Sequence, residues 1–592
     1  MSIFQNIKAG EIPSDSSIIE IAKKGLALQE RDLFDEINSY ITLLRDSFTV
    51  ASIYEKVYVI KILFVLEMYV DLHTAYENYI KRVVTLHIHK IPEEFGDFTK
   101  ELLVYYDAQK IMSYLQALLR EKSDQPSEEL RSFFNWSLHV FWNIPTLLNS
   151  DYWREWYPDL KVLLATLVSQ KCISDVMYVE FFTYHIMGNS FQKIDEWREL
   201  NQNVTRKTQS LYKEYTKDLI RLSIIQKDRK RVAFIVERVV DNSVFAVNYS
   251  LLKSLQANKD FVEQYEIAVY TVNYFEKSKD DQVCIDKIEA LGIPFINPVT
   301  AFREEGYYND HYKKAYSFAQ TLLHDGIDII INGGVLPILD FLYLARVAPL
   351  QIYYSHGNCA FDIEGIDKRV SHFPQECKEF EWEIVNVPIS KEFLVGTEEE
   401  KNNAETIKAS YKQKFGDDLV VLGTIGRLIK INSDEYIKTV AEIMKQNPNT
   451  IYLACGAGNE EDVKEKVREY GIDEERFIFT GQVNSHVYGW VIDVWPDSFP
   501  LRGGQAKAEY RSKNGFLVDH LKAYKGNSYI KALQIKEKYA KDSIQYPTAV
   551  TNSEYIAFIN RGIKEINYRT EISKIQKELL FNIVPDNILD IF

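Results

Sequence analysis

The chain has 592 residues, so several domains are expected rather than one. It is 46% hydrophobic and 26% charged, which excludes a largely disordered chain, and Tyr 38 and Phe 32 against Gly 25 and Pro 16 favour helix-rich packed structure over loops. A net charge of -15 argues against a nucleic-acid backbone as partner and leaves room only for a local basic pocket.

The five cysteines (Cys172, Cys284, Cys359, Cys377 and Cys455) are far apart with no C-x-x-C, so neither a disulfide framework nor a zinc site is expected. The opening MSIFQNIKAGEIPSD lacks the charged-then-apolar run of a signal peptide. The most apolar run, 57–70, is broken by Lys61 and Glu67, so no membrane span is expected. A cytoplasmic, reduced protein is the expectation.

In chain order, residues 1 to about 225 read as helix after helix. Ile18, Ile19, Ile21 and Ala22 begin one apolar stripe, and Ile60, Leu63, Phe64, Glu67 and Val70 another. His73, His87, His89, His139 and His185 lie here without metal-ligand geometry, His87 and His89 pointing apart. The basic cluster 227–231 marks a boundary. Beyond it, strand-like runs at 232–236, 266–272, 295–299, 327–332 and 350–355 alternate with helix-like segments such as 280–291 and 311–324. That alternation predicts a parallel sheet with helices on both faces. A second round begins near Asp418: strands at 419–423, 450–455 and 477–480, helices at 434–445 and 460–470.

The stretch 491–520, VIDVWPDSFPLRGGQAKAEYRSKNGFLVDH, completes the second round. It reads as a short strand, a turn at Trp495-Pro496-Asp497, a glycine loop at Arg502-Gly503-Gly504, a helix from Gln505 to Arg511, a stop at Asn514-Gly515 and a strand from Phe516. A glycine loop feeding a helix start presents backbone N–H groups to an anion. The tail after about residue 524 turns helical, with a break at Tyr546-Pro547, and is expected to pack back on the preceding domains.

Three turns directly after apolar strands are candidate cleft positions. They are Asn332-Gly333-Gly334, Tyr354-Ser355-His356-Gly357-Asn358 and Gly426-Arg427-Leu428-Ile429-Lys430. Lys430, a point charge, and Arg427, a fork, could neutralise a diphosphate. His356 could donate a hydrogen bond, act as a base or be structural. Gly456-Ala457-Gly458 has the form G-x-G without a third glycine, a weak nucleotide signal. G-x-x-x-x-G-K-[ST], H-E-x-x-H, G-x-S-x-G and D-x-D are all absent. Without paired carboxylates for a cation, a diphosphate here needs backbone N–H groups, a helix dipole and Lys430 or Arg427.

Together these blocks resemble glycosyltransferases of the GT-B fold, in particular the protein O-GlcNAc transferase family and, within it, bacterial cytoplasmic glycosyltransferases that modify adhesins at asparagine. Asn332-Gly333-Gly334 and Ala345-Arg346-Val347-Ala348-Pro349-Leu350-Gln351 are similar to the family's glycine turn and R-P-A-P-x-Q run. Ile366-Asp367 is similar to its I-D-Y, and Leu428-Ile429-Lys430-Ile431 to the stretch whose lysine holds the donor diphosphate. Arg476-Phe477-Ile478-Phe479-Thr480-Gly481 and Asp493-Val494-Trp495 resemble its last donor-domain strands. Gly503-Gly504-Gln505-Ala506 then corresponds to the phosphate loop and Glu509 to the acid on the ribose.

The resemblance implies an α/β protein: two Rossmann-like domains facing a cleft, preceded by an all-α domain. The boundaries expected are 1–228 (helical, acceptor binding), 229–395 (acceptor-side), 396–525 (nucleotide-sugar donor) and 526–592 (helical tail). It implies transfer of a sugar from a nucleotide-diphosphate donor, UDP-linked, to a protein side chain, with no metal and no cofactor. The expected donor contacts are Asn332, Gly333, Gly334, Arg427, Lys430, Gly503, Gly504, Gln505, Ala506 and Glu509. The family's acceptor-side histidine is missing from 237–245, so Glu237, Asp241 and His356 are candidates for the base by position, beside Lys430 for the leaving group. Leu501 stands where retaining enzymes carry the first acid of E-x7-E, which points to inversion. The alternatives are a transferase of surface polysaccharide or lipid-linked glycan, and a catalytically silent partner or chaperone that binds glycosylated protein. Trp136, Trp142, Trp153 and Trp156 suggest an aromatic peptide groove on the helical domain, against their ordinary use as core.

Overall fold

From Ile3–Lys8 to Arg206–Thr216 the chain is helical, and its helices follow the apolar periodicity. The helix Ile53–Val70 opens on a reciprocal Ser52–Glu55 capping box and buries Ile60 and the unbroken run Leu63–Met68, a face wider than one stripe, while Val70 of the expected stripe is exposed. Glu67 lies on that buried face, paired with Arg45 at 2.5 Å and Arg82 at 2.6 Å. The computed structural model describes residues 3–592 except 12, 25–32, 123–126, 149, 192, 222–227, 274–278, 299–309, 335, 373–374, 376, 386, 542 and 582–587. Lys227 and Val299 of the expected elements, and the side chain of His89, fall outside the described residues. Among those described, no helix is long and apolar enough to cross a membrane.

Two parallel sheets follow. The first contains β1 (Lys230–Val236), β2 (Tyr265–Thr271), β3 (Phe295–Ile296), β4 (Ile329–Asn332), β5 (Leu350–Ser355), β6 (Lys368–Ser371) and β7 (Glu383–Ile384), in the order β3-β2-β1-β4-β5-β6-β7. The second contains β8 (Val420–Ile425), β9 (Thr450–Cys455), β10 (Phe477–Gly481), β11 (Val494–Pro496), β12 (Phe516–His520) and β13 (Thr548–Ala549), in the order β10-β9-β8-β11-β12-β13. All described pairings are parallel. The strand order reverses between β1 and β4 and between β8 and β11, and ligands of such sheets bind beyond the strand ends at these reversals. The architecture is the one expected: two Rossmann-like domains behind a helical domain.

Each sheet is covered on both faces, which is why its strands read as unbroken apolar runs. Val232 and Phe234 of β1 pack into one layer, Ala233 and Ile235 into the opposite one. That second layer is continuous with the helical domain: Phe181, Leu211 and Tyr212 share a core with Phe318, Phe341 and Ile338. The helical domain is therefore built onto the first sheet.

Several expectations are corrected. Trp495 and Pro496 are in strand β11 and pair with Leu517 and Val518. Proline is tolerated there because only Val494 of this strand pairs with β8, so no neighbour needs the missing N–H. Trp136, Trp153 and Trp156 are fully buried, and Trp136 and Trp153 donate their indole N–H groups to Leu86 and Leu147 carbonyls at 2.8 Å. They form core, not a groove. The tail contributes β13 and the helices Asn552–Lys564 and Ile566–Phe581 to the second sheet's own core. Among the described residues its last turn, Ile588–Ile591, also reaches the first domain's core, so the tail packs back on both domains as expected. The fold also brings Cys359 and Cys377, both free thiols 18 positions apart in sequence, to a sulfur separation of 2.7 Å.

Candidate functional site

The first sheet's reversal point opens into a pocket of about 330 Å³. The loop after β1 supplies Glu237 and Arg238, the turn after β4 Gly333 and Gly334, and the turn after β5 His356, Gly357 and Asn358. The helical domain adds Tyr184 and Trp197 to the same wall, and Asn242 and Asn248 complete it. Asn332 Oδ1 accepts from Gly334 N at 2.9 Å, which fixes the turn. A Cβ on Gly333 would stand 2.9 Å from the His356 ring, and one on Gly334 would stand 2.6 Å from Leu339 and 2.9 Å from Glu237. The two glycines therefore let His356 and Glu237 approach one another's strand ends.

Three polar side chains here lack ordinary partners. His356 Nε2, Asn248 Oδ1 and both amide atoms of Asn358 are buried and make no hydrogen bond, although the Tyr184 hydroxyl lies beside the Asn358 amide. Burial, reinforced by neighbouring His372, pushes His356 down to about 3, so its imidazole is neutral at neutral pH. Asp241, expected at this site, is exposed and is not part of the pocket wall; its field acts on His486 of the second domain. Glu237 is the carboxylate that lines the pocket.

The second sheet's reversal point carries the cationic part. Lys430 ends the short 3-10 turn Leu428–Lys430. Its Nζ would lie 3.7 Å from a Cβ on Gly426 and 3.9 Å from one on Gly504, so two residues expected at the diphosphate, Lys430 and Gly504, converge beside Gly426. Burial lowers the Lys430 pKa; Asp497 opposes this, and Arg427, Lys507 and Arg502 add to it. The Lys430 ammonium makes no hydrogen bond or ion pair among the described residues. Asp497 cannot serve it fully, since its two oxygens accept from Gly503 N at 2.9 Å and Lys507 Nζ at 2.6 Å. A partly buried ammonium among further cations, beside the start of the helix Gln505–Ser512, is a site for an anion. Arg427 is exposed at its rim, and Ala506 is half-buried in the helix's first turn.

On that helix Gln505 Nε2 and Glu509 Oε2 are buried without hydrogen-bond partners, one turn apart on the same face. Lys507, which lies between them in sequence, is largely buried and bridges Asp497 and Asp519 at 2.6 and 2.7 Å. This triad clamps the glycine loop, and a Cβ on Gly503 would collide with Lys507 at 2.7 Å. Sequence reasoning missed it, because Asp497, Lys507 and Asp519 have no periodic spacing; adjacent β11 and β12 bring the acids together.

Gly456 and Gly458, the weak G-x-G, have a structural use. Leu428 N donates to Ala457 O at 3.0 Å, and a Cβ on Gly458 would be 2.7 Å from Leu428. They let the loop after β9 lie beneath the Lys430 loop. Among the described residues no group of three His, Cys, Asp or Glu is arranged to hold a metal ion.

No known protein-family model matches the chain, and no curated protein matches it. Solved structures do. An O-GlcNAc transferase mutant from Thermobaculum terrenum is 14% identical, with 96% of this chain and 94% of that chain covered and a TM-score of 0.47. HepE from Anabaena, in complex with UDP and glucose, is 12% identical over 61% of this chain and 97% of its own, with a TM-score of 0.41. The lipopolysaccharide outer core galactosyltransferase WaaB is 16% identical over 60% and 96%, with a TM-score of 0.38. The two-domain architecture stands on the strand order and the shared cores of the chain itself.

Proposed function

We propose that this chain is a glycosyltransferase that moves a sugar from a nucleotide-diphosphate donor, UDP-linked, to a protein side chain. The observation that carries the reading is the unpaired Lys430 ammonium, set against Gly426 and Gly504 at the start of a helix that also carries the unpartnered Glu509. In this reading the ammonium and the helix N–H groups stabilise the diphosphate as negative charge grows on it in the transition state. Glu509 takes the ribose hydroxyls. Displacement at the anomeric carbon is metal-independent and inverting. Glu237 acts as base toward the acceptor, and His356, neutral at working pH, supplies a polar contact rather than a proton trap.

Tyr184 and Trp197 support a protein acceptor, because they give the helical domain a share in the acceptor pocket. Burial of Trp136, Trp153 and Trp156 favours a second reading, a glycan acceptor, because it removes the aromatic groove a peptide would use. The test is incubation of the protein with radiolabelled UDP-sugars, once with a lysate of unmodified proteins and once with oligosaccharide and lipid-linked acceptors. Label in protein supports the first reading, and label confined to saccharide replaces it with the second. UDP binding with neither transfer nor sugar release leaves the silent-partner reading.

A further inference from the structure

The helix Gln505–Ser512 bears the proposed donor contacts at its start and middle, and its far end is fastened to the linker between the two sheets. Ser512 Oγ donates to the Leu394 carbonyl at 2.5 Å, and Lys513 Nζ donates to the same carbonyl at 2.8 Å. Lys513 Nζ also donates to the Glu509 carbonyl at 2.9 Å and lies 3.1 Å from His486 Nδ1. Its stem crosses Gly489, where a Cβ would be 3.3 Å from Lys513 Cδ, and its ammonium sits 5.1 Å from the Trp490 ring centroid. Gly396, two residues along the linker, has φ +66° and would bring a Cβ to 2.9 Å from that same Trp490 ring. Linker, Lys513 and the helix Ser485–Val491 thus form one packed unit.

We propose that Lys513 is a positioning residue that clasps the donor helix to the interdomain linker at Leu394, so that donor affinity depends on the clasp. The proposal rests on the reading of Gly504 and Glu509 as donor contacts. An ammonium has three N–H donors, and here three acceptors meet it: Leu394 O, Glu509 O and His486 Nδ1. The neutral amine has two, and keeps the third contact only by accepting from an Nδ1–H tautomer of His486, which exchanges a charge-assisted bond for a weaker neutral one. The charged and titratable groups facing it are Glu509 on its own helix, Glu400 on the helix Glu398–Phe415 and His486; Asp241 of the first domain acts on His486 in turn. Burial outweighs the two glutamates and lowers Lys513 to about 8. The clasp is therefore complete below that pH and loosens above it.

The test is calorimetric titration of UDP into the full chain at about pH 7 and about pH 9. Wild type should bind several-fold more weakly at the higher pH. Lys513→Met should bind about tenfold more weakly than wild type at the lower pH and lose less than wild type between the two, the remainder coming from Lys430. Ser512→Ala, which removes the other bond to Leu394, should weaken binding yet keep the wild-type pH dependence. Wild-type affinity and pH profile in Lys513→Met overturn the clasp and leave the donor reading standing. Absence of UDP binding by wild type overturns the donor reading and the clasp with it. If Lys513→Met does not fold, the wild-type titration decides: affinity that is flat between the two pH values overturns the proposal.

Discussion

Gly456 lies directly under the carbonyl of Gly426: a Cβ at position 456 would stand 2.0 Å from that oxygen and 2.7 Å from its carbon. The contact joins the loop after β9 to the loop after β8, which carries Lys430. Gly456→Ala should therefore shift the Lys430 loop, because the neighbour it meets is backbone and cannot rotate aside. The expected outcome is a loss of about 1–3 kcal/mol in stability, the range for overpacked sites, together with weaker UDP binding. Thermal unfolding and calorimetry on the same preparation check both parts; unchanged values for both contradict the contact.

Lys430→Ala should leave the fold intact and remove most turnover. A charge-assisted contact to phosphate is worth about 1.5–3 kcal/mol, or about 10- to 150-fold in rate when it strengthens in the transition state. Steady-state kinetics on folded variant check this, and wild-type turnover would sink the assignment.

Glu509→Gln should separate function from stability. Its Oε2 is buried without a hydrogen bond, so neutralising the side chain relieves a desolvation cost that offsets the lost attraction to Lys513. The melting temperature should hold or rise, while UDP affinity falls by about 1–3 kcal/mol with the lost charged acceptor. A variant that binds UDP as tightly as wild type contradicts the ribose role.

Activity should persist in excess EDTA, since D-x-D is absent and no metal-holding cluster occurs among the described residues. Turnover abolished by chelation and restored by manganese would reveal a metal site.

His356 and His372 should make the protein acid-sensitive in a defined window. Burial lowers them to about 3 and about 4, below the ordinary histidine value of 6.5. The unfolded chain then binds protons that the folded one refuses, so their contribution is fully present above about pH 6.5 and is lost as pH falls toward about 4 and 3. The double variant His356→Asn, His372→Gln should flatten the fall in melting temperature across this window; an unaltered slope means that other groups control it.

Both Rossmann-like units and much of the candidate anion site are legible in the sequence. Strands 350–355 and 450–455 are legible to the residue, because a strand buried on both faces must be a continuous apolar run. Lys430, Gly504, Gln505 and Glu509 are legible because strand, glycine loop and helix start are local, and local backbone chemistry needs only neighbours in sequence. Strands β6, β7 and β13 were not, being short and near sheet edges, where packing imposes little pattern. Tertiary structure alone decided the rest. The sheet order put Glu237, His356, Tyr184 and Trp197 around one pocket and Asp497 and Asp519 around the Lys507 ammonium. It also buried the tryptophans that composition had offered as a groove. Each of these contacts is made across strands or domains, and a side chain's partners there depend on which elements become neighbours, a fact that no window of sequence contains.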